Sequence, residues 1–188
     1  MYPALILAGG ASKRMGKNKA TMIVEGDPMI VRVAHALRDA GCQSILVAVR
    51  DGHQRHEIMG ALRHLTEVEY ILDNDLERSA KSGLRSALRI CAAKGIQRIQ
   101  LAPCDTPWIN SQVFERLQEG SRAVMMPKGE HLQPLLSLIE VDVVLSALDR
   151  APMRASLKRT LRSVPNQIIA FADNSCFRNV NAPDDLGQ

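Results

Sequence analysis

Aromatic side chains are scarce, with three Phe, two Tyr and one Trp in 188 residues. That excludes the row of base-stacking platforms on which single-strand nucleic-acid binders rely. A net charge of only +4 is likewise modest for a nucleic-acid surface. Cysteine is rare too, and Cys42, Cys91, Cys104 and Cys176 stand too far apart to make a C-x-x-C pair. Neither a zinc site nor a disulfide framework is indicated, so reduced thiols in an intracellular protein are expected. No apolar run approaches the roughly 18 residues of a membrane span. The first strand is expected to begin almost at once, leaving no room for a signal peptide. These absences predict a cytoplasmic protein with neither membrane nor nucleic acid among its partners. What remains is 46% hydrophobic and 23% charged, an ordinary globular composition. It suits a single domain over residues 1–188 with one substantial core.

Short β-branched runs alternate with helical periods, the pattern of an α/β layer fold. Strands are predicted at Ala4–Leu7, Ser44–Val49, Val68–Leu72, Arg98–Ala102, Ala123–Met126, Leu135–Ile139 and Gln167–Phe171. Helices are predicted from Pro28 to Ala40, over Ala80–Lys94, after an Asn110 or Ser111 cap, over Val141–Leu148, and over Met153–Leu161 begun by Pro152. Gly41 and Gly95 are placed as helix stops. The polar stretch Asp51–His64, with His53, His56 and His64, matches no strong zinc spacing and reads as a solvated helix. A terminal helix is expected after Asn181, with acidic residues in its first turn.

The most informative stretch is Leu5-Ile6-Leu7-Ala8-Gly9-Gly10-Ala11-Ser12-Lys13-Arg14-Met15-Gly16-Lys17-Asn18-Lys19. A short apolar run stops at two glycines and gives way to a loop with four cationic side chains. Glycine permits positive φ and close backbone approach to a ligand. Successive N–H groups can then cradle an anion, with Lys and Arg adding full charges. Neither standard phosphate loop fits. Five residues separate Gly10 from Gly16, and Asn18 stands where a P-loop places its magnesium-binding hydroxyl. The dinucleotide fingerprint fails because Gly9 and Gly10 are adjacent.

Asp105 directly follows an apolar strand, and ligands of open α/β sheets bind beyond the carboxyl ends of the strands. A carboxylate beside a triphosphate invites magnesium; an aspartate there also suits a turn braced by Thr106 and Pro107. Asp73 and Asp75 end the Val68–Leu72 strand. A carboxylate at either position can accept from guanine N1–H and the exocyclic amine, or can serve a surface turn.

The run L-A-G-G-x-S-x-R-M-G-x-x-K resembles the opening motif of Rossmann-like nucleotidyltransferases. With Cys104-Asp105-Thr106-Pro107, Gln133-Pro134-Leu135-Leu136-Ser137-Leu138 and Asn179-Val180-Asn181-Ala182-Pro183-Asp184-Asp185-Leu186, it is most similar to the molybdenum cofactor guanylyltransferases. The resemblance implies a Rossmann-like three-layer α/β/α fold with a mostly parallel sheet and a smaller antiparallel portion near the C-terminus. It implies GMP transfer from GTP to the terminal phosphate of molybdopterin, with pyrophosphate released. GTP would be held by Leu7, Ala8, Gly9, Gly10, Lys19, Asp73 (with Asp75 a close competitor) and Asp105. Arg14, Lys19 and Asp105 would be catalytic, with Mg²⁺ (Mn²⁺ possible) on Asp105. Gly83, Asn179 and Asn181 would face the acceptor, and molybdenum cofactor-handling proteins would be transient partners. The stretch Ser79-Ala80-Lys81-Ser82-Gly83 departs from the family's G-P-L-A-G, keeping only Gly83, and Lys81 suits either a phosphate contact or a solvated helix start.

Three rival activities share parts of this pattern. A guanylyltransferase acting on adenosylcobinamide phosphate shares the opening loop and the N-x-N ending but not C-D-T-P. A cytidylyltransferase for the same cofactor more often has alanine in place of the first glycine. A non-catalytic molybdopterin carrier has no use for Arg14, Lys19 and Asp105 together.

Overall fold

A computed structural model describes residues 2–8, 18–72, 80–152, 154–181 and 185. Among the described residues the chain builds one seven-stranded sheet covered by helices on both faces, with a two-stranded hairpin beside it. The strands of the sheet are β1 (Ala4–Leu7), β4 (Ile45–Val49), β5 (Val68–Leu72), β6 (Arg98–Pro103), β7 (Val124–Lys128), β8 (Leu138–Glu140) and β9 (Asn166–Ala170). The hairpin pairs β2 (Ile23–Val24) with β3 (Asp27–Pro28).

The sheet order is β5-β4-β1-β6-β8-β7-β9. All neighbours run parallel except β8, which is antiparallel to both β6 and β7. The mostly parallel sheet with a small antiparallel portion is therefore as the sequence implied. Strand order reverses at β1, which lies between β4 and β6. The crevice beyond the carboxyl ends of β1 and β6 is thus a topological switch point, where ligands of such sheets bind.

Side chains divide between the two faces with the period of two that strands dictate. Ala4 and Ile6 of β1 and Ile45, Val47 and Val49 of β4 join one apolar layer, while Leu5, Leu46 and Ala48 join the other. Helices α1 (Met29–Asp39), α2 (Gly52–Ala61) and α4 (Ser111–Gln118) cover the first layer; α3 (Ala80–Ala93), α5 (Val141–Arg150) and α6 (Leu157–Arg162) cover the second. Ile30, Val33, Ala34 and Leu37 on α1, and Leu84, Ala87, Leu88 and Cys91 on α3, are buried at helical spacing, the stripes the sequence predicts. Gly41 and Gly95 close α1 and α3 at φ 87° and 72°, values costly for a side chain with a Cβ. His53, His56 and His64 are exposed on or just after α2.

Three expectations are corrected. Leu135–Ile139 is not one strand: Pro134–Leu136 forms a 3₁₀ turn and only Leu138–Glu140 pairs in the sheet, because proline cannot donate to a ladder. The last predicted helix starts later, at Leu157, where Ser156 accepts from the Arg159 backbone N–H as its cap; Pro152 does not begin it. Pro28 ends β3 instead of sitting inside α1. Most of the expected terminal helix lies outside the described residues, as does Met153.

Candidate active site

The chain enters the site twice from the switch point. β1 delivers Leu7 and Ala8, and β6 delivers Cys104 and Asp105. The two ends are joined directly, since the Cys104 N–H donates to the Leu7 carbonyl at 3.3 Å. The Ala8 N–H donates to Ala48 at 3.0 Å, continuing the parallel ladder to the point where the glycines begin.

Ala8 and Asn18, the described residues on either side of 9–17, are held by one side chain that sequence reasoning missed. Gln54, on α2 and 1% exposed, donates through Nε2 to the Ala8 carbonyl at 2.7 Å and to Asn18 Oδ1 at 3.3 Å. Its Oε1 accepts from the Arg50 N–H at 2.7 Å. Asn18 in turn donates to Glu57 at 2.9 Å and caps the 3₁₀ turn Lys19–Thr21 by accepting from Ala20 N–H. Asn18 is thus a structural cap, which explains an amide where a P-loop has a hydroxyl. The capping carboxylate of Asp51 fixes the start of α2, accepting from Gln54 N–H and pairing with Arg50 at 2.7 Å. Those two bonds, the backbone one first, hold the Asp51 carboxyl below its usual range.

Lys19 leaves this turn and crosses to the other side of the crevice. Its ammonium lies 2.9 Å from Asp105 Oδ2 and 3.3 Å from Asn181 Oδ1. Asp105 also holds the C-terminal segment through its backbone, accepting from the Val180 N–H at 3.0 Å. Val180 is fully buried, while the flanking Asn179 and Asn181 are exposed. Asp185 accepts from the Asn181 N–H. The structure therefore brings together Leu7, Ala8, Lys19, Asp105, Asn179 and Asn181 at one edge.

Gly83 belongs to α3 on the opposite face of the sheet from Lys19 and is not part of that cluster. Lys81 donates to the Pro152 carbonyl at 2.9 Å. Gly9, Gly10, Arg14, Asp73 and Asp75 lie outside the described residues.

A second lattice, also missed, encloses the Asp105 loop from outside. Trp108 donates through its indole N–H to Glu25 Oε1 at 2.9 Å, and the Arg178 guanidinium stacks over its ring at 4.0 Å. Arg32 pairs with Glu25 Oε2 at 2.7 Å and donates to the Pro107 carbonyl at 2.9 Å. Glu25 sits at the hairpin tip with φ 50°, next to Gly26 at φ 96°, the paired left-handed geometry of a tight hairpin turn. A non-glycine residue there is uncommon. The indole bond, then Arg32, pulls its carboxyl below the ordinary value. Trp108 packs on Val24, Met29 and Val180. The one sequence signal was that the lone tryptophan follows C-D-T-P.

Cys104, beside Asp105, is not a nucleophile. Burial, reinforced by the Asp105 charge, pushes its thiol up to about 12, so it stays protonated and inert. For a divalent cation the donor set is suitable: Asp105 supplies one carboxylate whose Oδ1 receives no hydrogen bond from the described residues. Among those residues no cluster of three ligating side chains exists. One carboxylate completed by phosphate oxygens and water is the way magnesium binds with nucleotides, unlike zinc.

A lysine and a carboxylate thus face each other at the reversal point of a mostly parallel α/β sheet. The sequence model of the MobA-like NTP transferase domain matches residues 4–168, and the chain belongs to that family. It is 31% identical to a probable molybdenum cofactor guanylyltransferase of Haloferax mediterranei, over 97% of this chain and 90% of that one. It is 30% identical to the molybdenum cofactor guanylyltransferase of Cereibacter sphaeroides, over 98% and 93%. The fold matches the molybdopterin-guanine dinucleotide biosynthesis protein A of Archaeoglobus fulgidus with TM-score 0.73 at 22% identity, covering 98% of this chain and 95% of that one. It also matches a nucleotidyl transferase of Methanothermobacter thermautotroptrophicus with TM-score 0.78 at 18% identity, covering 98% and 94%. The chain is a nucleotidyltransferase. No described helix is long and apolar enough to cross a membrane.

Proposed function

We propose that the chain transfers GMP from GTP to the terminal phosphate of molybdopterin and releases pyrophosphate. The observation that carries this reading is the Lys19–Asp105–Asn181 cluster, with contacts of 2.9 and 3.3 Å, at the switch point. Its substrates follow from the curated relatives, which are named molybdenum cofactor guanylyltransferases.

An oxygen of the acceptor phosphate attacks the α-phosphorus of GTP, and the bond from that phosphorus to the bridging β-oxygen breaks. The acceptor is already ionised at neutral pH, so no strong general base is required. Catalysis then rests on positioning and charge neutralisation. Lys19, and Arg14 from the loop, offset charge that builds on the departing pyrophosphate. Gly9 and Gly10 supply backbone donors to the phosphates, and the Gln54 clamp fixes the flanking Ala8 and Asn18. Asp73, or Asp75 in its place, accepts from guanine N1–H and its amine. Asn179 and Asn181 face the acceptor. Asp105 would hold Mg²⁺, which would supply a Lewis acid for the phosphate oxygens.

The test is pyrophosphate release with GTP, CTP or ATP against molybdopterin and adenosylcobinamide phosphate. The reading expects turnover with GTP and molybdopterin. Preference for CTP, or turnover with adenosylcobinamide phosphate alone, overturns it.

A further inference from the structure

Between Arg150 and Ser163 lie five of the chain's 24 basic residues, Arg150, Arg154, Lys158, Arg159 and Arg162, and none of its 20 acidic ones. The rest of the chain thus carries 19 basic residues against 20 acidic, so the net positive charge of the protein comes from this stretch. All five side chains are exposed. Several cations elsewhere do have a carboxylate partner: Lys94 pairs with Glu69 at 2.8 Å, Arg89 with Asp149 at 3.0 Å and Arg32 with Glu25 at 2.7 Å. No carboxylate among the described residues pairs with any of the five; Arg150 donates only to the Ser146 carbonyl. Arg150, Arg159 and Arg162 stand in last helical turns, where the helix dipole favours cations. That accounts for their sign, not for the lack of any balancing acid. Lys158 and Arg162 face each other at i,i+4, an arrangement that opposes the helix.

The same elements line an open surface hollow of about 340 Å³. Its walls include Ala147, Ala151, Ala155 and Val164, and Arg150 and Arg159 line it too. Lys81 donates to the carbonyl of Pro152, another wall residue, so the cavity adjoins the start of α3. A largely apolar hollow flanked by guanidinium groups that pair with no described carboxylate is complementary to an apolar side chain bracketed by carboxylates. We propose that the α5–α6 surface docks an acidic protein segment, which seats one apolar side chain in this cavity and pairs its carboxylates with Arg150 and Arg159. A nucleic acid is a poorer occupant, since the stretch has no aromatic residue to stack on a base and an apolar hollow offers nothing to a phosphate backbone. An anionic membrane is poorer still, because the exposed large apolar residues, Ile23, Met59, Leu72 and Ile168, all lie elsewhere in the sequence.

The proposal is independent of which nucleotide or acceptor the enzyme uses, and its test involves neither. A random peptide library displayed on phage is panned against the wild-type chain. Enriched sequences are expected to be acidic around a single apolar residue. A synthetic peptide of that sequence should lose at least about tenfold in affinity for the Arg150→Glu/Arg159→Glu variant, and weaken as salt is raised. Single Arg150→Ala and Arg159→Ala variants should each show part of that loss, and they decide the matter if the double variant has a lowered melting temperature. No enrichment, enriched peptides indifferent to these substitutions, or displacement of the peptide by a short DNA duplex, by phosphatidylglycerol vesicles or by a second copy of the chain would overturn it.

Discussion

The two charged regions of this molecule are built on opposite principles. At the switch point cations are tied down by anions and carbonyls: Lys19 has Asp105 and Asn181, Arg32 has Glu25 and Pro107, and Arg50 has Asp51. Around α6 the cations pair with no carboxylate among the described residues, and their own stretch contains none. Cross-linked charges fix geometry, which is what a reaction run by positioning needs. Unpaired charges keep their field available for a partner that arrives from solution. The difference separates a place where a substrate is held from a place where a macromolecule can dock.

That contrast can be broken from either side, and the largest effect belongs to Asp105. Asp105→Asn should lower turnover by about 10²–10³-fold or more while largely sparing GTP binding; full activity in that variant would remove the metal assignment. Gln54→Leu leaves the Ala8 carbonyl and Arg50 N–H without a buried partner and should destabilise the fold by about 2–3 kcal/mol, read by urea unfolding. It should also raise the KM for GTP, because both ends of the opening loop lose their clamp. Trp108→Ala removes an indole bond, a stacked guanidinium and apolar packing, and should cost about 2 kcal/mol, with Trp108→Phe recovering part of it. Glu25 contributes a smaller, pH-dependent amount. Its carboxyl is depressed in the folded state, so its stabilisation is present above its ordinary value of 4.5 and is lost as pH falls through the lowered folded value. Melting curves of wild type and Glu25→Gln should converge on that acid side. Smallest of all, Arg150→Glu/Arg159→Glu should leave pyrophosphate release with small-molecule substrates within about twofold of wild type, in line with exposed surface changes.

Much of this was legible in the sequence, and for physical reasons. Central strands such as Ile45–Val49 are buried on both faces and so read as unbroken apolar runs, while Gly41 and Gly95 announce left-handed stops. Lys19, Asp105 and Asn181 were legible because motifs carry them, although only the fold shows that they touch. Gln54 was invisible: it sits in a polar helix among exposed residues, and its burial depends on where β1 ends three-dimensionally. The hairpin Ile23–Pro28 was missed because two-residue strands are too short for a period to show. Helix α6 was started too early because Pro152 is a plausible first-turn residue, whereas Ser156 has the better cap. The docking surface needed both levels, since the charge run is plain in the sequence but the hollow beneath it is not.

The central claim is that the Lys19–Asp105 crevice transfers a nucleotidyl group, and isotope placement tests it most directly. GTP labelled at the α-phosphate and GTP labelled at the γ-phosphate are each incubated with molybdopterin, and the labelled products are separated. The account predicts that the α-label joins the acceptor and the γ-label leaves in pyrophosphate, with both transfers lost in Asp105→Asn. Transfer of the γ-label to the acceptor, or no transfer of either label, would contradict it.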